Sequence, residues 1–256
     1  MSEIKEKIKE NSAESGLAYQ LRVGTQKAHT MAESTSFVTS FLKGIVDKQS
    51  YGKLVGNFYF IYDSLEAELD QHRSHPVLGK IFYPELWRKS TLEKDLAYYY
   101  GADWQTKVHP SPACEKYVQR LKEVSQANPE LLVAHAYTRY MGDLSGGQIL
   151  KKIAKQAMNL TDGQGTAFYD FDTIKNHGEF KKQYRVALDT LPIDSDVAEK
   201  IVEEANHSFH LNMELFRELE GNWMLTLGKM AWNTIANKFS AVTNKTSQPS
   251  SEPTAS

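Results

Sequence analysis

Two short stretches of this chain hold side chains that a helix would present together for chemistry. In 139–147, RYMGDLSGG, Asp143 stands between Gly142 and Gly146, with Arg139 one turn before it and a third glycine at 147. Residues 142 and 146 lie about 40° apart around a helix that turns roughly 100° per residue. One face is therefore almost bare for a turn. A glycine inside a helix costs about 1 kcal/mol relative to alanine, so stability alone disfavours such a cluster. A flat ligand could approach this main chain closely, with Asp143 and Arg139 at its edge. A close crossing of two helices uses the same small-residue pair, and on these residues alone it is the commoner use.

The second stretch carries His29 on a helical face shared with Leu17, Leu21, Thr25, Ala28 and Ala32. Glu33 follows four residues later, where a carboxylate reaches the ring N–H that a ligating imidazole leaves free. Alone, a histidine beside an apolar stripe is usually a packed boundary residue. The other seven histidines show no HExxH pattern, and His207 with His210 lacks a third ligand for zinc. Lys181 and Arg185 lie one turn apart and could clamp an anion, the guanidinium as a planar fork and the ammonium as a point charge. An exposed basic helix face reads the same way.

The elements that must position these residues are helical. Phe37, Val38, Phe41, Leu42, Ile45 and Val46 form one stripe ending near Asp47; Tyr51, Leu54, Val55, Phe58, Ile61, Tyr62, Leu65 and Leu69 form the next. His75-Pro76 and Tyr83-Pro84 mark turns. Helices follow around Leu92–Tyr99, after Pro112, and from Asn128, whose place before Pro129 marks it as a cap. Beyond a glycine-containing loop, helical spacing returns at Phe180–Leu188. It continues over 194–220 and over about 222–239, where Trp223, Leu227, Met230 and Ile235 alternate with Lys229, Asn233 and Lys238 as an amphipathic cover. There is no internal repeat and no strand alternation, so the fold class expected is all-α. Residues 1–15 are expected to be a charged flexible extension, 16–240 one multi-helical domain, and 241–256 a disordered tail rich in Ser, Thr and Pro.

The 256 residues are 41% hydrophobic, enough for a substantial core, and 30 Lys and Arg nearly balance 32 Asp and Glu at a formal charge of −2. Nothing global points to nucleic acid. Local clusters at Lys151-Lys152-Lys155 and Lys181-Lys182-Arg185 could meet an anionic group or partner. The single cysteine, Cys114, excludes an internal disulfide and fits a reducing compartment. The N-terminal stretch lacks the apolar core of a secretory signal, and no run reaches the ~18 apolar residues of a membrane span.

The motifs together resemble one family. LLVAHAYTRYMGDLSGGQILKKIA at 131–154 closely resembles the distal-helix signature of haem oxygenases, and LRVGTQKAHTMAE at 21–33 resembles their proximal-histidine helix. FYFIYDSLEAEL, HPVLGKIFYPELWRKSTLEKDLAYYYG and EFKKQYRVALDTL fit the same pattern in the same order, so the resemblance covers about 17–220. It implies haem held between a proximal and a kinked distal helix, with His29 as axial iron ligand and Glu33 as its partner. Gly142 and Gly146 would let the distal helix bend over the porphyrin. Arg22, Tyr137, Lys181 and Arg185 would line the propionate edge, and Phe41, Phe209 and Phe216 the apolar wall. Gln26 departs from the pattern, since many relatives carry lysine there.

The activity implied treats haem b as cofactor and substrate. O2 and electrons from a reductase or ferredoxin open the ring at the alpha-meso carbon, giving biliverdin IX-alpha, CO and Fe2+. Asp143 would anchor distal waters that deliver a proton, with Tyr62, Arg139 and Asn212 in the same network. Without a C-terminal hydrophobic anchor the chain looks like the enzymes of cyanobacteria and plastids. That implies reduced ferredoxin as donor, a bilin reductase downstream, and the bacterial cytosol or plastid stroma as location. A haem carrier without oxygenase activity and a helical interaction protein are the alternatives.

Overall fold

The structure, a computed structural model, describes residues 16–161 and 163–245, with 221–245 as backbone alone. The expected extension 1–15 and residues 246–256 of the expected tail lie outside the described residues. The chain divides into two compact units, 1–219 and 220–256. All regular structure among the described residues is helical.

Ten α-helices follow in order among the described residues: α1 (Leu17–Gly24), α2 (Gln26–Glu33), α3 (Ser36–Leu42), α4 (Lys48–Gln71), α5 (Lys89–Tyr100), α6 (Pro112–Ala127), α7 (Leu132–Ala136), α8 (Gly142–Met158), α9 (His177–Asp189) and α10 (Ser195–Lys245). Their ends follow from local chemistry. The Asp47 carboxylate accepts from the Gln49 and Ser50 amides at 2.9 Å, which starts α4. Ser111 caps α6 ahead of Pro112, and Asn159, at φ 51°, stops α8 in the left-handed conformation. α5 is started from outside. Its first amides, those of Arg88 and Lys89, donate to the Glu66 carboxylate of α4.

α4 is the spine of the first unit. Its stripe from Tyr51 to Leu69 is buried, and it packs against both α5 and α6. α1 is fastened to the far end of α9, where Asp189 Oδ1 accepts from the Ala18 amide at 2.8 Å. A Cβ on Gly16 would fall 2.4 Å from that same oxygen, so any other residue there must displace the Asp189 carboxylate. This junction brings the helix bearing Arg22 beside the one bearing Lys181 and Arg185.

Four expectations from spacing are corrected. The stripe through His29 is two helices meeting at Thr25, whose hydroxyl donates to Leu21 O at 2.7 Å. The Phe37–Val46 stripe ends at Leu42, because Gly44 turns the chain at φ 74°. Asn128 makes no side-chain cap, and Pro129–Leu131 is a 3-10 turn leading into α7. The two helices expected over 194–239 are one helical run, Ser195–Lys245. At Thr25 and at Asn128 the backbone changes its hydrogen bonding in a way that side-chain spacing does not encode.

A buried polar knot ties α10 to α6 and α7. Glu204 accepts from Arg120 Nε at 3.0 Å and Nη2 at 2.6 Å, and from His135 Nε2 at 2.9 Å. Burial works to raise the Glu204 carboxyl, but His135 and Arg120 together hold it down at about 2, while burial lowers His135. Both shifts make the fold acid-labile. The contribution of Glu204 is complete above the ordinary carboxylate value of 4.5 and is lost as pH falls through about 2. Glu204→Ala strands a fully buried histidine, and at pH 7 it should lower the unfolding free energy by about 3 kcal/mol in urea titrations. An unchanged midpoint would show that the knot carries no stability.

Candidate active site

A π-helical turn at Tyr137–Met141 precedes the glycines, and α8 then runs regularly from Gly142 (φ −62°, ψ −50°). The π turn falls one turn before the glycines, and such a turn shifts the helix register without needing glycine. The glycines do something else. A Cβ on Gly142 or Gly146 would meet no heavy atom of the described residues within 4 Å, whereas one on Gly147 would lie 3.1 Å from the Tyr169 ring. Only Gly147 is a packing glycine. No helix crosses at the other two, which leaves a bare, open main-chain face.

Asp143 projects from the turn between them. Its Oδ2 accepts from the Tyr62 hydroxyl of α4 in a short hydrogen bond. Tyr62 Oη also accepts from Arg139 Nε at 3.1 Å, and Arg139 Nη1 donates to Asn212 Oδ1 of α10 at 2.6 Å. Asn212 in turn donates to Ser208 O at 2.9 Å. Four of the predicted residues therefore form one directly bonded chain across four elements: α4, the π turn, α8 and α10. Arg139 is not at the edge of the open face, where its spacing put it. It is buried, with its guanidinium 4.3 Å from the Phe58 ring centroid and 4.8 Å from that of Tyr62. The π turn rotates it inward.

The electrostatics follow from this burial. Desolvation raises the Asp143 carboxyl above the usual carboxylate value, opposed by Arg139, the Tyr62 hydroxyl and Arg88. Burial also drives the Tyr62 phenol far up, so Tyr62 remains a hydrogen-bond donor at any working pH. With Oδ2 engaged by Tyr62, Oδ1 is the oxygen of Asp143 left for other partners.

His29 is exposed on α2. Its Nδ1 lies 3.5 Å from Glu33 Oε2, and its ring meets that of Phe209 edge to face at 5.6 Å. Glu33 thus stands on the Nδ1 side of the ring, where the partner of a ligating histidine would be. Phe216 stacks on Phe37 at 5.9 Å, and Phe37 also adjoins Phe41 at 6.4 Å, so two of the predicted wall residues join through a third ring. Phe41 itself is buried against Tyr51.

The predicted anion-binding group also assembles. Burial raises the half-buried Tyr137 hydroxyl, with Arg185 and Arg22 close enough to oppose it. Lys181 Nζ lies 3.4 Å from Ser145 Oγ, beside the bare glycine face. Arg22 also lies over the Tyr19 ring at 5.4 Å.

A model of the family described as heme oxygenase matches residues 15–218. The chain is 57% identical over 224 residues to heme oxygenase 1 of Nostoc sp., covering 88% of this chain and 94% of that one. The chain belongs to the haem oxygenase family. Its structure is also similar, at a TM-score of 0.84 and 55% identity, to heme oxygenase-1 from Synechocystis sp., a crystal structure in complex with heme; the match covers 86% of this chain and 99% of that one. The haem oxygenase of Leptospira interrogans matches at a TM-score of 0.78 and 45% identity, over 79% of this chain and 99% of its own. All-helical architecture is shared with these structures.

Several residues of this haem oxygenase site were not read from the sequence. Phe58 supplies the face under Arg139, and Glu66 and Arg88 stand behind Tyr62. Ser208 and Glu204 continue the chain from Asn212. One signal was present: Glu204, Ser208 and Asn212 recur every four residues along the apolar face of α10, where polar residues need buried partners.

The open glycines predict an unusual result in the ligand-free protein. Gly142→Ala and Gly146→Ala should each stabilise it by up to about 1 kcal/mol, because helix propensity improves and nothing is displaced. Gly147→Ala should be destabilising, since the Tyr169 ring must move. Denaturant midpoints check this, and destabilisation by all three would make the bare face a packing device.

Proposed function

We propose that this haem oxygenase holds haem b against the bare face of α8, with His29 Nε2 as axial ligand, and opens it at the alpha-meso carbon to biliverdin IX-alpha, CO and Fe2+. The observation that carries the reading is the open pair Gly142 and Gly146 flanking a carboxylate already fixed by Tyr62. The residues present fit the group: a cradle that a Cβ would begin to fill, an imidazole oriented by a carboxylate, and a cluster of cations for two propionates. Haem, when bound, brings the iron that takes up O2 and the ring carbon that is oxidised.

Everything else is done by the chain. Glu33 holds His29 Nδ1 and so presents Nε2 in one orientation. Arg22, Tyr137, Lys181 and Arg185 take the carboxylates of the porphyrin edge, which fixes the ring's rotation and hence the carbon exposed to attack. Phe41, Phe209 and Phe216 provide apolar wall and keep water from the rest of the ring. Asp143 Oδ1 orders water and exchanges a proton, while Tyr62, Arg139 and Asn212 hold the carboxylate still. Gln26 brings no charge to the edge, so the clamp rests on the other four residues.

For electrons, reduced ferredoxin fits best. Lys152 and Lys182 are exposed, the latter 3.8 Å from Glu179, and offer cations to an acidic donor. Lys151 is less free than its spacing suggested, because Asp170 already accepts from its ammonium group. A bilin reductase is the natural consumer of the product. No helix among the described residues is long and apolar enough to cross a membrane, and the bacterial cytosol or plastid stroma is the proposed location.

An absorption time course with one equivalent of haem, a ferredoxin reducing system and air should show loss of the Soret band, with biliverdin and CO appearing. A stable spectrum of demonstrably reduced haem would overturn oxygenase function in favour of a carrier. His29→Ala should lose the native axial ligation, and unchanged iron spectra would remove His29 from that role. Asp143→Ala should bind haem stoichiometrically yet yield at least tenfold less biliverdin; undiminished yield would refute its part in proton handling.

A further inference from the structure

The 3-10 turn Ala167–Tyr169 stands behind the candidate site, and the proposed mechanism does not use it. The turn and the residue after it meet α8 three times. Gln148 Nε2 donates to Tyr169 O at 2.8 Å, a Cβ on Gly147 would lie 3.1 Å from the Tyr169 ring, and the Lys151 ammonium donates to Asp170. At about 100° per residue, positions 147, 148 and 151 centre roughly 170° around the helix from the midpoint of 142 and 146. The turn therefore supports α8 on the side opposite its bare face. It also reaches Tyr62, whose ring lies 5.5 Å from that of Phe168.

The turn is held in its place by its own backbone. α5 and its cap present Arg88, Asp95 and Tyr99 on one face, at a spacing of seven and then four residues. Asp95, only 1% exposed, accepts from the Ala167 amide at Oδ1 and from the Phe168 amide at Oδ2, both at 2.8 Å. The Arg88 guanidinium donates to the carbonyls of Phe168 and Asp170, and Tyr99 Oη donates to that of Gly165 at 2.9 Å. The groups facing Asp95 are Asp170 and Lys151 across the turn, together with Tyr51, Tyr99 and Tyr169, whose phenols burial keeps neutral. Burial outweighs the two amides, and the Asp95 carboxyl is pushed up to about 6. Above that pH both oxygens accept as a carboxylate. Below it one of them carries a proton and accepts weakly.

We propose that Asp95 is a positioning residue for the candidate site: by fixing the 167–169 turn it braces α8 from behind, and so sets how firmly the bare face and Asp143 meet a ligand. Protonation of Asp95 slackens the brace. The consequence for haem rests on the oxygenase reading, whereas the brace itself does not.

Backbone amide NMR of the ligand-free protein tests the brace. The Ala167 and Phe168 amide shifts should titrate together with a midpoint of about 6, and this titration should vanish in Asp95→Asn. Asparagine offers one acceptor to two donors. Hydrogen exchange at 167–168 and at 147–151 should therefore quicken about fivefold in that variant, with exchange in α6 as in the parent. Gln148→Ala cuts the link at an exposed residue. It should quicken exchange at 147–151 alone and keep the titration at 167–168. In the haem-loaded protein, ring opening should rise as pH is raised through about 6 in the parent and lack that rise in Asp95→Asn. Amide shifts that do not titrate near that pH, or exchange in α8 unchanged in both variants, would overturn the proposal. So would a uniform rise in exchange across the first unit in Asp95→Asn, which would make Asp95 a residue of global stability only. Should Asp95→Asn not fold, the parent's titration and Gln148→Ala still decide. A parent that leaves haem intact would remove the oxygenase reading alone, because the amide measurements need no haem.

Discussion

The interior of the first unit is organised by a buried positive charge. Arg139 cannot shed its proton, and an isolated guanidinium in an apolar core costs several kcal/mol. It is tolerated because its hydrogens reach Tyr62 Oη and Asn212 Oδ1 and its plane lies near two aromatic faces. Those partners come from α4 and α10, and Arg139 itself from the π turn. Satisfying one charge thus fixes three elements relative to one another. Asp143 inherits its position from the same arrangement, through Tyr62.

Carboxyl groups in this unit show how one variable, the availability of a cation, sets different acidities under similar burial. Glu204 has Arg120 in a two-pronged contact and is held at about 2. Glu66 has only backbone amides and rises to about 7; Asp95, with the Ala167 and Phe168 amides, rises to about 6. Asp143 lies between these cases, raised by burial but opposed by Arg139. Backbone amides favour the ionised form too weakly to cancel desolvation, whereas the hydrogen bonds of His135 and Arg120 together overcome it at Glu204.

The π turn and the glycines divide a task that the sequence seemed to give to the glycines alone. The turn carries Arg139, which is buried; the glycines keep the following face bare. Leaving that face uncovered forgoes helix stability at two positions, which the first unit offsets with the packed spine of α4 and the knot at Glu204. The chain from Asp143 through Tyr62 and Arg139 to Asn212 is already bonded within the protein, so little of it is left to reorganise on binding.

Much of this was legible from residue order. Helical periodicity located most elements, because an apolar stripe reports burial directly. The His29–Glu33 pair was readable because four residues span one turn. The bare face at Gly142 and Gly146 was readable for the same reason, although spacing left open whether a helix or a ligand would occupy it. Contacts across long separations were beyond such reading: Tyr62 meets Asp143 over 81 positions, and Arg139 meets Asn212 over 73. So were the break at Thr25 and the π turn, where the backbone changes its hydrogen bonding while the side-chain period continues. The sequence by itself determined which helices form, which faces they bury and which local pairs share a turn. The tertiary structure alone decided which polar groups meet in the interior and hence which acids ionise near neutrality, because desolvation and Coulomb attraction depend on distances between elements that one-dimensional spacing does not specify.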